Sequence, residues 1–169
     1  MQRPFDGPLK AVVLATAALV AAGTAWADDA SDDISPGHWR LVASPFTQHF
    51  RYSAEHRSVY ALGLERAQPD GLLVGATYFR NSFGQHSAYA YFGQRHEKVW
   101  GLAPLFLQWS AGILYGYRGK YENKVPLNVH GFAPGALFSA GWQFSQQGSA
   151  VVHLLGDAGF MLQLSYDLH

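Results

Sequence analysis

Two short polar stretches contain the residue types that acyl transfer requires. Asn81 and Ser82 stand side by side in "YFRNSFGQHSAYAYFGQ", residues 78–94, and His49 lies in "SPFTQHFRYSAEHR". An imidazole can act as a base near neutral pH, and a hydroxyl can act as a nucleophile or donate to an oxyanion. The alternative for a histidine in a loop is simple solvation, since the chain has 8 histidines. Chemistry therefore requires a fold that brings these residues to one place.

The other motifs limit the chemistry further. Cysteine is absent, which excludes disulfides and thiolate metal sites. No H-E-x-x-H motif or paired histidine spacing indicates zinc, and no G-x-S-x-G, P-loop or dinucleotide motif occurs. Lys plus Arg and Asp plus Glu both number 12, so no basic field indicates nucleic acid. We therefore expect no metal, no cofactor and no nucleic-acid partner.

The elements that position the polar residues are predicted to be short β-strands. In "LFLQWSAGILYGY", residues 105–117, one face carries mainly Leu, Trp, Ile and Tyr, and the other carries Gln, Ser and Gly together with Phe106 and Leu114. Such a period of two is typical of a strand with one apolar face. Strands are predicted near residues 46–53, 58–67, 71–80, 86–95, 104–118, 132–144, 149–155 and 159–168.

The N-terminus has the composition of a secretory signal peptide. Basic residues precede the apolar run "AVVLATAALVAA", and "AWA" at residues 25–27 has the small-x-small pattern of a cleavage site. The run is shorter than the roughly 20 residues of a membrane-spanning helix. We predict a signal peptide over 1–27, a flexible acidic leader over 28–45 and one barrel domain over 46–169.

Taken together, these features predict an all-β fold: an eight-stranded antiparallel up-and-down transmembrane β-barrel of the bacterial outer membrane. If the chain starts in the periplasm, "AQPDG", "RHEKVWG" and "SQQG" lie on that side. The segments "SAEHR", "NSFGQ", "RGKYENKVPLNVHG" and "GDAG" then lie outside. A soluble β-sandwich or lipocalin-like barrel is the alternative. The uncharged aromatic face of residues 105–117 favours the membrane barrel.

The long predicted outer loop carries several positive charges. It contains Arg118, Lys120 and Lys124 in the mixed-charge segment "RGKYENK". Such a segment is usually a hydrated surface, but its cations can also bind the phosphate groups of lipopolysaccharide.

The rim motifs resemble those of the PagP-type lipid A palmitoyltransferases, small eight-stranded enzymes of the outer membrane. The family pattern T-W-H-x-R-F-x-Y is similar to "TQHFRY", residues 47–52, with one residue fewer, and F-K-D-S-W is similar to "FRNSF", residues 79–83. Gly93 has the same spacing from Asn81 as the glycine at the floor of the family's acyl pocket. "VPLNVHGFAPGALFSAG" loosely resembles a later family pattern, and the similarity spans about residues 40–145.

The resemblance implies a function as well as a fold. It implies an acyltransferase that moves a palmitoyl chain from a phospholipid donor to lipid A as the acceptor, without a cofactor and as a monomer. The implied catalytic residues are His49, Asn81 and Ser82, with Gly93 as a determinant of acyl-chain length. The polar stretch at residues 81–82 would then be half of an active site.

Two departures from the family pattern bear on this function. The family has Asp at the position of Asn81, and an amide cannot stabilise an imidazolium as a carboxylate does; in a serine-protease triad this change costs about 10⁴ in rate. Asn81 is then an oxyanion donor or orienter, or Glu55 assists His49, or catalysis is lost. Residues 28–45 also leave little room for the family's amphipathic N-terminal helix.

Two other functions fit the same fold. One is a non-enzymatic outer-membrane barrel for membrane integrity, adhesion or ligand binding. The other is a lipid A deacylase, although no His-x-Ser pair of the kind found on one strand of such enzymes occurs here. The interior of the barrel distinguishes an acyltransferase from a structural barrel. An acyl pocket needs an apolar interior near the rim, whereas a structural barrel fills its interior with polar and paired charged side chains.

Overall fold

The computed structural model describes residues 37–51 and 56–168, which form a closed barrel. The strands are β1 His38–His49, β2 Ala61–Ala67, β3 Leu72–Arg80, β4 His86–Glu97, β5 Leu105–Tyr115, β6 Phe132–Gln143, β7 Gly148–Leu154 and β8 Gly159–Leu168. Each strand pairs antiparallel with the next one in sequence, and β8 pairs with β1 to close the sheet. The predicted eight-stranded antiparallel up-and-down barrel is therefore confirmed.

The first strand begins earlier than the sequence predicts. β1 starts at His38, so residues 38–45 of the predicted leader belong to the barrel, while residues 28–36 and the predicted signal peptide over 1–27 lie outside the described residues. The pairing of β1 with β8 shifts between Ala43 and Phe46, on either side of Pro45. Proline cannot donate to the ladder, and a bulge reverses which residues face inward. This reversal hides the period of two in the sequence.

The connections divide between two ends of the barrel. One end, which we call the loop end, carries the described residues 50–51 and 56–60 between β1 and β2 and the connections at 81–85, 116–131 and 155–158. The opposite end, the turn end, carries those at 68–71, 98–104 and 144–147. Only two short 3-10 turns, Val99–Gly101 and Gly119–Lys124, are helical in the described ranges. Within those ranges, no helix is long and apolar enough to cross a membrane.

The interior of the barrel is lined by alternate residues of each strand. On β5, Gln108 and Ser110 are buried, whereas Leu107 and Ile113 are exposed, as the alternation predicts. On β4 the aromatic residues Tyr89 and Tyr91 are buried with Gly93, and Phe92 faces outward. The rings of Tyr89 and Tyr91 stack with their centroids 5.0 Å apart.

The outside of the barrel is an exposed apolar belt bounded by aromatic side chains. Its exposed aliphatic side chains include Leu41, Leu62, Leu64, Val74, Leu107, Ile113, Val152 and Leu164. Exposed aromatic side chains near the turn end are Trp39, Trp142, Phe144 and Tyr166, and those near the loop end are Phe46, Tyr60, Tyr78 and Phe132. Soluble monomers rarely expose so large a contiguous apolar surface. An apolar band between two aromatic girdles is typical of barrels in lipid.

Candidate functional site at the loop end

Asn81 organises the connection between β3 and β4. It follows directly after β3 and is only 1% exposed. Its side-chain oxygen accepts hydrogen bonds from the backbone N–H groups of Phe83 and Gln85, both at 3.0 Å. Its amide nitrogen donates to the backbone oxygen of Gly116 at 3.5 Å. Asparagine favours such turns because its side chain mimics a backbone group. The hydrogen-bonding groups of Asn81 are therefore used within the protein.

Ser82 is buried beside the long loop between β5 and β6. Its side chain interacts with the phenol of Tyr117, and its backbone oxygen accepts from the N–H of Arg57 at 2.8 Å. Burial raises the pKa of Tyr117 above its ordinary value, and the hydrogen bond with Ser82 opposes that rise. The phenol is therefore neutral at physiological pH, and the pair joins three connections of the loop end.

His49 lies on the same end but apart from Ser82. It is the last residue of β1 and pairs with Gly159 of β8. Its ring centroid lies 4.3 Å from that of His56, and the ring of His56 lies 5.5 Å from that of Phe83. No hydrogen bond between described residues joins His49 to Asn81 or Ser82. The two proposed halves of the active site are thus separated by two rings, because β2 lies between β1 and β3.

The long loop is attached to the β3–β4 connection through Gln85. The side-chain oxygen of Gln85 accepts from the backbone N–H of Arg118, and its amide nitrogen donates to the backbone oxygen of Arg118, both at 3.1 Å. The ring of Phe83 stacks on that of Tyr121 with centroids 4.2 Å apart. These contacts give the loop end a defined shape.

The three predicted phosphate-binding cations all belong to this long loop. Lys120 lies 4.8 Å from the ring centroid of Tyr121, and Lys124 lies 5.8 Å from that of Phe83. The guanidinium of Arg118 lies 5.6 Å from the ring centroid of Tyr115. The quadrupole of an aromatic ring attracts a cation that lies over its face. The loop therefore presents positive charge at defined positions.

Gly93 lies far from this group. It faces the interior on β4, between Leu73 of β3 and Ser110 of β5, in the half of the strand nearer the turn end. A Cβ atom at Gly93 would overlap the backbone oxygen of Trp109. A glycine is thus required at position 93 for the close approach of β4 and β5, whether or not Gly93 has another role.

The interior contains a charged network that the sequence did not reveal. Arg40 of β1 forms ion pairs with Asp167 of β8 and, at 3.0 Å, with Glu65 of β2. The phenol of Tyr91 donates to Glu65 at 3.0 Å. The sequence signal for this network is a charged residue on each of β1, β2 and β8. Whether these residues meet depends on the register of β1, which determines the face that Arg40 occupies.

A second interior network joins β6, β7 and β8. The ring of His153 is hydrogen-bonded to the hydroxyl of Ser139 at 2.6 Å and to the side chain of Gln163 at 3.1 Å. Gln163 donates in turn to the hydroxyl of Ser165 at 3.1 Å. All four side chains are buried, so this network fills the interior and satisfies its own polar groups.

The described residues were compared with the requirements of a metal site, and the chain with known proteins. Within residues 37–51 and 56–168, no group of three or more His, Asp or Glu side chains is arranged to hold a metal ion. No known protein family matches the chain, and no curated protein matches it. The fold defines the class, a small closed antiparallel β-barrel. The resemblance to lipid A palmitoyltransferases stays a prediction from the rim motifs.

Proposed function

We propose that this chain is a non-enzymatic outer-membrane barrel whose loop end faces outside and binds the phosphate groups of lipid A. One observation carries the proposal: an exposed apolar belt with aromatic borders surrounds an interior rich in hydrogen-bonded polar side chains. The belt fits a lipid environment, since only closed barrels and helices satisfy their backbone groups there. The polar interior fits a structural barrel.

The charge of the loop end supports lipid A as the ligand. Cations of the described loop-end connections are Arg51, Arg57, Arg118, Lys120 and Lys124, whereas the acids are Glu122 and Asp157. Glu122 is engaged by the backbone N–H of His130 at 2.6 Å. Arginine and lysine form charge-assisted hydrogen bonds with phosphate, and lipid A carries phosphates in the outer leaflet.

The interior supports a role without acyl transfer. Below the loop end, the interior contains the stacked rings of Tyr89 and Tyr91 and the hydrogen-bonded network around His153, and an acyl chain would have to share this space with them. The amide nitrogen of Asn81 donates to both Gly116 and the side-chain oxygen of Gln85, so its two N–H groups already have acceptors within the protein.

Binding to defined lipids tests this proposal. The purified barrel in detergent is titrated with lipid A and with lipid A that lacks its phosphates. A variant with Arg118→Gln, Lys120→Gln and Lys124→Gln should bind lipid A roughly a hundredfold more weakly, because each cation near an anionic surface contributes about 1 kcal/mol. Lys98→Gln at the turn end is the control and should bind normally. Equal affinity for both lipids would reject the proposal.

Palmitoyl transfer is the second candidate. It is favoured by the position of His49 and Ser82 on one end of the barrel, connected through the rings of His56 and Phe83. A movement of this loop end would have to bring His49 to the acceptor hydroxyl, where it would act as the base.

Mass spectrometry of lipid A from cells with and without the protein separates the two candidates. An added palmitoyl mass that disappears in His49→Ala and Ser82→Ala would establish the transferase and reject the non-enzymatic role. The expected loss is about 10² to 10⁴ in rate for His49→Ala. A lost acyl mass would indicate the deacylase, and unchanged lipid A agrees with the non-enzymatic barrel.

A further inference from the structure

A cavity opens at the turn end of the barrel, opposite the candidate site. Its volume is about 270 Å³. The ends of five strands line it, through side chains that include Arg40, Arg95, Phe106, Gln143 and Asp167. A space of this size accommodates a small ligand, and its polar lining determines which chemistry fits.

Arg95 is the side chain in this cavity whose hydrogen bonding is incomplete. The side chain is only 7% exposed. One terminal nitrogen donates to the side-chain oxygen of Gln143 at 2.7 Å, and the guanidinium carbon lies 3.5 Å from the ring centroid of Phe106. Among the described residues, the buried Nε–H of Arg95 has no hydrogen-bond acceptor. Buried donors are almost always paired, so this one indicates a missing acceptor.

The nearest carboxylate does not supply that acceptor. Glu97 Oε1 lies 3.2 Å from Arg95 Nε, which makes an ion pair but not an aligned hydrogen bond. The side chain of Glu97 is 61% exposed, so water competes for it. Glu97 is thus the solvated partner of this pair, and a better aligned anion can take its place.

Arg40, on the opposite wall, shows the contrast. Its Nε donates to Asp167, and its terminal nitrogens contact Glu65 at 3.0 Å and Asp167 at 3.3 Å. Each guanidinium nitrogen of Arg40 is thus paired with a buried carboxylate, whereas the Nε of Arg95, which also belongs to the lining of the cavity, has no aligned acceptor among the described residues. A new acceptor in this cavity would therefore bind at Arg95.

We propose that this cavity is a binding site for a small carboxylate or phosphate anion, held by Arg95 with Phe106 and Gln143 beside it. The guanidinium fork matches the oxygen pairs of both anions. The ligand accepts from Nε and displaces the exposed Glu97. This site lies at the turn end and does not depend on what the loop end binds.

The side-chain Nε–H signal of Arg95 reports directly on the proposed contact. The full barrel in detergent micelles, labelled with ¹⁵N-arginine, is titrated with sodium phosphate and with sodium acetate at constant ionic strength set by sodium chloride. The signal is assigned from its loss in Arg95→Lys. We expect a saturable shift of this signal with at least one anion, and the two arms decide which.

Two variants make the result specific. Glu97→Gln removes the competing carboxylate and should tighten anion binding roughly two- to fivefold, the range expected for one exposed ion pair. Arg66→Gln changes an arginine outside the interior and should leave binding unchanged. A shift that does not saturate, or one that chloride reproduces, would mean that only water fills the cavity and would overturn the proposal. An unchanged affinity in Glu97→Gln would equally reject Arg95 Nε as the contact.

Discussion

Asn81 and Gln85 hold the connection between β3 and β4 by reciprocal hydrogen bonds. The backbone N–H of Asn81 donates to the backbone oxygen of Gln85 at 2.9 Å, and the N–H of Gln85 donates back to the side-chain oxygen of Asn81 at 3.0 Å. Gln85 in turn binds the backbone of Arg118. Asn81, which the sequence predicts to be catalytic, thus stabilises the β3–β4 connection and, through Gln85, the long loop between β5 and β6.

Asn81→Ala should destabilise the barrel by about 1–3 kcal/mol, because it leaves the part-buried N–H groups of Phe83 and Gln85 without their acceptor. Asn81→Asp keeps that acceptor and loses the two longer hydrogen bonds that the amide nitrogen donates to Gly116 and to the side chain of Gln85, both at 3.5 Å, so its loss of stability should be smaller. Urea unfolding of the barrel in lipid vesicles measures both. Asn123→Ala, an exposed amide on the same end, is the control, and an equal effect of Asn81→Ala and Asn123→Ala would contradict this role of Asn81.

Gly93→Met should reduce the yield of folded barrel, because even the Cβ atom would overlap the backbone oxygen of Trp109. Ala90→Met, on the outward face of the same strand, should fold normally. The heat-dependent gel mobility of the refolded protein measures the folded fraction. A folded Gly93→Met barrel that transferred shorter acyl chains would instead favour an acyl pocket with Gly93 at its floor.

Arg40→Met should lower the free energy of unfolding by about 3–5 kcal/mol, since the buried carboxylates of Glu65 and Asp167 would lose their cation. Arg66→Met is the matched control. Arg66 lies 5.5 Å from the ring centroid of Trp39 on the outer surface, and its loss should cost less than about 1 kcal/mol. Equal losses in urea titrations would mean that the interior network does not stabilise the barrel.

The orientation of the barrel is tested with single cysteines in a chain that has none. Asn123→Cys in the long loop should react with a membrane-impermeant thiol reagent on intact cells. Gln146→Cys in the β6–β7 turn should react only after the outer membrane is opened. The reverse pattern would invert the proposed topology, and labelling of both positions on intact cells would argue against membrane insertion.

The alternation of side chains determined the fold class from the sequence alone. On β5 the period of two separates Gln108 and Ser110 from Leu107 and Ile113, and the structure puts the first pair inside and the second outside. This works because a strand turns successive side chains to opposite faces, so each local segment records its two environments. The number of strands and the two sets of connections follow from the same local pattern.

What only the tertiary structure decided depends on register between distant strands. The shift of pairing around Pro45 determines that Arg40 faces inward, where it meets Glu65 and Asp167 from β2 and β8. Likewise, β2 and its preceding loop keep His49 apart from Ser82, although both lie at one end of the barrel. The local period of two indicates which residues of one strand lie on the same face. The pairing register with the neighbouring strands determines whether that face points inward and which residues it meets, because a slip of one residue exchanges the two faces.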